Sequence, residues 1–393
     1  MRLLTSMHST PNQQTLVDKV STLSRERFAG RASQYDIESK FPKENYDDLR
    51  EAGLLAMTVP TKYGGLGVDP LTYALCVLEI AKGCSATALT FNMHSTVVGL
   101  IGSMGTEEQK QRYFDEVVEK GKLFASITSE PESSWRGKYV LRTLFTPIQG
   151  GYQVKGVKHF CSIGDSADYF FLSGMLEGHT TAKSGLLTAV LPRSAPGVEV
   201  ESEWNATGMR GTSSHTIRYD SPVREEDVVG EPGALFDVDL SGYALGYSAT
   251  YIGIGEAAFD FIVEYSKGRS SALGSATLDN DAPMLSIIGE MGTSIRAARL
   301  MMLEAARAVA EGDAETKMLA INQAKYFCAE VGAEVTEKAM RMAGGRGFLK
   351  SMPLERWHRD SLAGPVMPPA NERCMETAGR LLAGLRAASL EFE

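Results

Sequence analysis

The sequence predicts a mainly α-helical protein with a central β domain, and three observations carry that prediction. The hydrophobic period is about 3.6 residues over the first third of the chain, about two over the middle, and about 3.6 again to the end. Gly150-Gly151, Ser194 to Gly197 and Glu231-Pro232-Gly233 cut the middle into short pieces, as strands joined by turns require. A composition of 43% hydrophobic and 23% charged residues in 393 is that of a globular chain with room for about two or three domains. The expected boundaries are 1–124 for an N-terminal helical domain, 125–235 for the β domain and 236–393 for a C-terminal helical domain.

Each region has its own markers. Tyr46, Leu49, Leu54 and Leu55 follow Pro42, a Gly-rich loop runs from Pro60 to Pro70, and Thr72 to Ala81 place apolar residues at helical spacing. Thr106 reads as the N-cap of a helix over Glu107 to Glu119, with acidic residues in its first turn. In the middle, Tyr152 to Lys155 and Val198 to Glu201 alternate, while Tyr169 to Leu172 and Gly185 to Leu191 are short buried runs. Further on, Ile288, Met291, Ile295, Ala298, Met302, Ala305 and Val309 step by three and four and draw one apolar stripe, with Pro283 near its start and Gly312 past its end. A second helix is expected over Glu315 to Ala343 and a third over Cys374 to Ala388. Long striped helices suit a bundle or an oligomer interface.

Charge and cysteine usage remove several function classes. The formal charge is −9, from 40 basic and 49 acidic residues, and no basic run of five occurs, so no nucleic-acid groove is expected. No apolar stretch reaches the roughly 18 residues of a membrane span, and Met1 to Gln14 lack the apolar core of a secretory signal. Cys76, Cys84, Cys161, Cys328 and Cys374 are odd in number and scattered, without zinc spacing, which reads as reduced thiols of a cytoplasmic protein and no metal site.

Four segments occur in a telling order: FASITSEP over Phe124 to Pro131, KGVKHFCSIG over Lys155 to Gly164, GMRGT over Gly208 to Thr212, and GGRGF over Gly344 to Phe348. The last is followed by Pro353-Leu354-Glu355-Arg356 and by Arg359-Asp360. Together they resemble the L-T-E-P loop, the N-G-x-K-x-W-I-T-N-G strand, the G-x-R-x-[ST] turn and the G-G-x-G-[FY] … P-x-E-[RK] … R-D run of the acyl-CoA dehydrogenase flavoenzyme family, over nearly the whole chain.

The resemblance implies a fold of helical domain, β-barrel-like domain and C-terminal four-helix bundle, with FAD (FMN as the alternative) between the last two. It also implies a homotetramer or homodimer, and oxidation of the CH–CH group of an acyl thioester, CoA- or carrier-protein-bound, by hydride transfer to flavin N5. An electron-transfer partner or a flavin reductase would complete the cycle. A flavin ring needs backbone donors along its pyrimidine edge and an apolar wall. By the resemblance, Ile127, Thr128 and Ser129 supply the donors, Phe160 the wall, and Ser162 a hydroxyl toward N5. Arg269 and Leu273 stand where the family has R-x-x-F-G, whose arginine meets the pyrophosphate of a neighbouring subunit's FAD. Arg341 stands where the family has Gln, and Gly344 and Gly345 would lie against the dinucleotide. The same residues also read as a turn serine, a core phenylalanine and a helix C-cap.

The chain departs from the family at the base. The usual glutamate, eight residues after the R-D pair, is Pro368 here, and the position on an earlier helix that a minority of members use is Tyr243. Glu372 is the nearest carboxylate and the candidate base; its other reading is a solvated first-turn carboxylate with Asn371 as cap. The family's D-x-x-R contact to CoA falls on Ser241 and Ala244, and A-G-S-D is replaced by Glu132 to Arg136, with Arg136 and Lys138 as substitute donors. Relatives without the base include two-component monooxygenases that use reduced flavin and O2. On that alternative His94 and Ser162 handle protons at the flavin edge. His94 also reads as a packed histidine, and His159 and His215 as strand or turn residues. Non-redox chemistry on a thioester, and a non-catalytic binding or assembly role, are the remaining readings.

Overall fold

Helices fill both ends of the chain and strands its middle. The computed structural model describes residues 10–131, 141–239, 241–267, 278 and 281–385. The first helices are α1 (Pro11–Leu23), α2 (Ala29–Glu38), α3 (Lys43–Glu51), α4 (Pro70–Gly83), α5 (Ser85–Met104) and α6 (Glu107–Val118). Asp69 starts α4 by accepting the Thr72 N–H at 3.0 Å, and Pro70, which has no N–H to satisfy, takes the first position. Thr106 and Gln109 cap α6 reciprocally at 3.2 and 3.0 Å, in agreement with the cap read from the sequence.

The strands are β1 (Phe124–Ile127), β2 (Leu144–Ile148), β3 (Gly151–Cys161), β4 (Tyr169–Leu176), β5 (Leu186–Pro192), β6 (Val198–Ser202) and β7 (His215–Arg224). They form one sheet. Strand β4 carries β5 on one edge and, end to end on the other, the parallel neighbours β1 and β2. From β2 the sheet continues antiparallel through β3 and β7 to β6. A bridge between Ala189 and Val228 brings β5 toward the chain beyond β7, so the sheet curls. Near its end β3 slips in register between Lys158 and Cys161, and Phe160 takes φ 56°.

The C-terminal helices are α7 (Ser241–Lys267), α8 (Ala282–Glu311), α9 (Ala314–Met342), α10 (Leu354–Ser361) and α11 (Asn371–Leu382). Helix α8 is the expected stripe: Met291, Ile295, Ala298, Met302 and Ala305 are buried, with Asp281 capping its start and Gly312 ending it. Helices α7 and α9 touch through backbone, because a Cβ on Gly332 would lie 2.5 Å from the Tyr251 carbonyl oxygen. The expected third helix begins at Asn371 rather than Cys374, and residues beyond 385 lie outside the described part. Asn371 is not the cap, a role that falls to Ala370. Its side chain instead accepts from Lys325 at 2.9 Å and donates to Glu330 at 2.7 Å, which draws the helix start into the bundle.

All three regions meet at one joint. Arg359 on α10 donates to both carboxylate oxygens of Asp36 on α2, at 2.9 and 2.6 Å, and to the Thr207 carbonyl at 2.8 Å. Asp360 accepts the Met209 N–H at 2.6 Å, and Arg210 Nε donates to the Asp36 carbonyl at 2.8 Å. Gly208 is required here, since a Cβ would lie 2.1 Å from the Arg359 carbonyl oxygen. Burial pushes the Asp360 carboxyl up to about 6. Among the described residues no helix is long and apolar enough to cross a membrane.

Candidate active site

The site begins with a buried charge pair. Lys158, near the end of β3, is wholly sealed from solvent and donates to Glu130 Oε1 at 2.7 Å and to the Thr128 carbonyl at 3.3 Å. Glu130 also accepts the backbone N–H groups of Arg142 and Thr143. Burial pushes the Glu130 carboxyl up, but the Lys158 ammonium and these donors more than offset it, and the group ends below the usual carboxylate range. The pair fixes the chain that leaves β1. There the carbonyls of Thr128 and Ser129 are taken, by Lys158 and by the His159 N–H at 2.9 Å. The N–H groups of Thr128 and Ser129 have no acceptor among the described residues.

Beside this strand end the β3 slip turns Phe160 outward. It is 61% exposed and meets Trp204 edge-on at 5.9 Å between ring centroids, so it is no core phenylalanine. Ser162 is buried, and its hydroxyl lies 2.8 Å from that of Ser214, which lies 2.7 Å from that of Thr212. Four non-glycine residues around this point have left-handed backbone: Phe160, Ile163, Met209 and Ser213. Ile163 is the costly one, because a branched Cβ is crowded at its φ of 65°. It is held there by the Thr212 carbonyl, which accepts the Ile163 N–H at 2.9 Å.

His94 on α5 does not reach out from its helix. Its Nδ1 accepts the Phe124 N–H at 3.1 Å and its Nε2 faces the Leu55 carbonyl at 3.1 Å, so Nε2 carries the proton. The ring is fully buried, and burial lowers it to about 4. With both nitrogens engaged by backbone, His94 is a structural tie between α5, β1 and the Leu54–Ala56 turn, and no ring nitrogen is left for the proton relay expected of it.

The candidate dinucleotide residues lie apart from these. Gly344, with φ 64°, ends the α9 segment, and open space surrounds the Cβ positions of Gly344 and Gly345. Arg341 is exposed and pairs with Glu337 at 3.6 Å. Arg269 and Leu273, and the substitute donors Arg136 and Lys138, lie outside the described residues. Glu372 is exposed in the first turn of α11, and Pro368 is exposed in the loop before it. Tyr243 packs its phenol against Gly99 of α5, and burial pushes it up to about 12.

Ser214 and Lys325 were missed in the sequence, and Thr212 was read only as the end of the Gly208–Thr212 turn. Ser214 and Thr212 join Ser162 only because β7 lies beside β3. Lys325 is buried under the 363–371 loop, donating to the Gly364 carbonyl at 2.8 Å and to Asn371, and burial lowers its ammonium to about 8. Its signal was visible: it sits on the apolar stripe of α9 with Ile321 and Cys328.

Three family models match the chain: the acyl-CoA dehydrogenase N-terminal domain over residues 10–120, the middle domain over 127–221 and the C-terminal domain over 240–382. The chain belongs to the acyl-CoA dehydrogenase family. A short-chain specific acyl-CoA dehydrogenase of Clostridium acetobutylicum is 29% identical over 335 residues, 84% of this chain and 87% of that one. A dibenzothiophene monooxygenase of Mycolicibacterium goodii is 27% identical over 366 residues, 86% of this chain and 87% of that one. The solved butyryl-CoA dehydrogenase of Megasphaera elsdenii superposes with a TM-score of 0.89 at 27% identity, covering 95% of this chain and 99% of that chain. This acyl-CoA dehydrogenase family member is a flavoprotein oxidoreductase, and its residues fit the cofactor. The unclaimed N–H groups of Thr128 and Ser129 suit a flavin's polar edge, and exposed Phe160 suits its face.

Two outcomes follow from this geometry. Lys158→Met takes the neutralising ammonium from the buried Glu130 carboxylate and is expected to cost about 3–5 kcal/mol in urea unfolding; adding Glu130→Leu should restore only part of it, because the Arg142 and Thr143 N–H groups then lose their acceptor. For His94, the folded state holds its proton less tightly than the unfolded state does. Its stability contribution is therefore present above pH 6.5 and is lost as pH falls toward 4, by on the order of 3 kcal/mol. The difference between wild-type and His94→Gln unfolding curves across that window measures it.

Proposed function

We propose that this protein oxidises the CH–CH group of an acyl thioester, CoA- or carrier-protein-bound, with FAD as its cofactor. The observation that carries the reading is the juxtaposition of two unclaimed strand-end N–H groups, the Ser162 hydroxyl and the outward Phe160 ring. The cofactor supplies the hydride acceptor at N5. Ile127, Thr128 and Ser129 hold the pyrimidine edge, Phe160 covers a face and Ser162 adjoins N5. Gly344 and Gly345, open on their outer side, support FAD over FMN as a surface for the dinucleotide beside Arg341, and the resemblance alone adds Arg269 and Leu273, which lie outside the described residues. Phe348, 78% exposed next to that turn, supports a homotetramer or homodimer that covers it. An electron-transfer partner would reoxidise the flavin. Five buried, unpaired cysteines support a cytoplasmic setting.

Removal of the α proton needs a base. Glu372 is the one carboxylate in residues 361–372, and Lys325 and Asn371 anchor the loop that leads to it. A second reading, a two-component monooxygenase supplied by a flavin reductase, is favoured by Pro368 at the usual base position and by the monooxygenase relative at 27% identity.

Anaerobic titration of the flavoprotein with acyl-CoAs of graded length is expected to bleach the flavin absorbance. Glu372→Gln is expected to slow that bleaching by at least about 100-fold, as loss of a general base does; an unchanged rate removes Glu372 from the role. No bleaching at any chain length, together with incorporation of 18O from O2 into a product, would establish the monooxygenase reading instead.

A further inference from the structure

Three buried hydroxyls form a chain whose direction is set at one end. Thr212 Oγ1 lies 2.9 Å from the Met209 carbonyl oxygen. A carbonyl only accepts, and two oxygens at that distance repel without a proton between them, so Thr212 donates there. Its single proton is then used, and the 2.7 Å contact between Thr212 and Ser214 requires Ser214 to donate. By the same count, the 2.8 Å contact between Ser214 and Ser162 requires Ser162 to donate. The Met209 carbonyl is held in place by Trp204 Nε1 at 3.0 Å and by the Thr212 N–H at 3.1 Å. Thr212 is 1% exposed, Ser162 4% and Ser214 7%, so solvent has little access with which to reverse the chain. The opposite direction would leave the Thr212 and Met209 oxygens facing each other with no proton.

Ser162 therefore has only lone pairs left to offer. We infer that Ser214 and Thr212 are positioning residues that hold the Ser162 hydroxyl as a hydrogen-bond acceptor toward the flavin edge, so that the site favours reduced flavin, whose N5 carries a proton, over oxidised flavin, whose N5 presents a lone pair. The inference rests on the flavin reading of the crevice. It reverses the expectation that Ser162 donates toward N5, and it assigns work to two residues that do not touch the cofactor.

The test is the midpoint potential of the bound flavin, measured by reductive titration of the holoprotein against a reference dye. Ser214→Ala removes the acceptor of the Ser162 proton, and Thr212→Val frees Ser214 to turn toward Ser162. Each lets Ser162 donate to oxidised N5. Each variant is expected to reduce the preference for the reduced form by roughly threefold to tenfold. A tenfold change lowers the potential by about 30 mV for a two-electron couple. Ser162→Ala should lower it comparably, and Ser214→Thr, which keeps the hydroxyl, should hold the wild-type value. A loss of packing alone would weaken binding of both redox forms and leave the potential where it was. Potentials of Ser214→Ala and Thr212→Val equal to or above wild type would overturn the inference while leaving the flavin reading intact. A protein that takes up no flavin would overturn both.

Discussion

The ion pair between Lys158 and Glu130 is the constraint on which the site depends. Two ions removed from water are costly to bury, and this pair is retained where the two charges, the Thr128 carbonyl and the Arg142 and Thr143 amides satisfy one another. The result is geometric. One carboxylate ties the end of β1 to the start of β2, and one ammonium ties both to β3. The ammonium and the His159 amide occupy the carbonyls of Thr128 and Ser129, while the N–H groups of the same two residues have no acceptor among the described residues.

A second set of charges positions that crevice against the helices. Arg359, Asp360, Arg210 and Asp36 bond to one another and to backbone across three elements. They lock α10, the Gly208–Thr212 turn and α2 together, and the turn they hold is the one that ends in the hydroxyl chain. Two of the sequence segments that carry the family resemblance, Gly208 to Thr212 and Arg359-Asp360, therefore meet in one joint, and the hydroxyl chain is placed through it.

Legibility in the sequence followed the range of the interactions. Helix α8 and the cap of α6 could be read because period and capping are local properties of neighbouring residues. The start of α11 was misplaced by three residues, since Asn371 is held by Lys325 and Glu330 from another helix, and no local signal reports that. Exposure of Phe160 could not be read either, because it follows from a register slip between β3 and β7. The role expected of His94 failed for a similar reason: its two partners, Leu55 and Phe124, lie 39 and 30 residues away. Ser162 was legible as a motif residue, whereas Ser214, 52 residues on, becomes its partner only when the strands pair.

Ile163 is the residue that spends stability for shape. Where the related strand motif carries asparagine, which tolerates a left-handed backbone, this chain keeps a branched side chain in that conformation at a cost of about 1–3 kcal/mol. Its apolar body is fully buried beside the hydroxyl chain, so the tension is anchored on both sides. Asparagine or glycine would release that strain, but either would also remove a fully buried aliphatic side chain, a loss of about 2–5 kcal/mol, and loosen the wall beside Ser162. Backbone ease and side-chain packing thus pull in opposite directions at a single position.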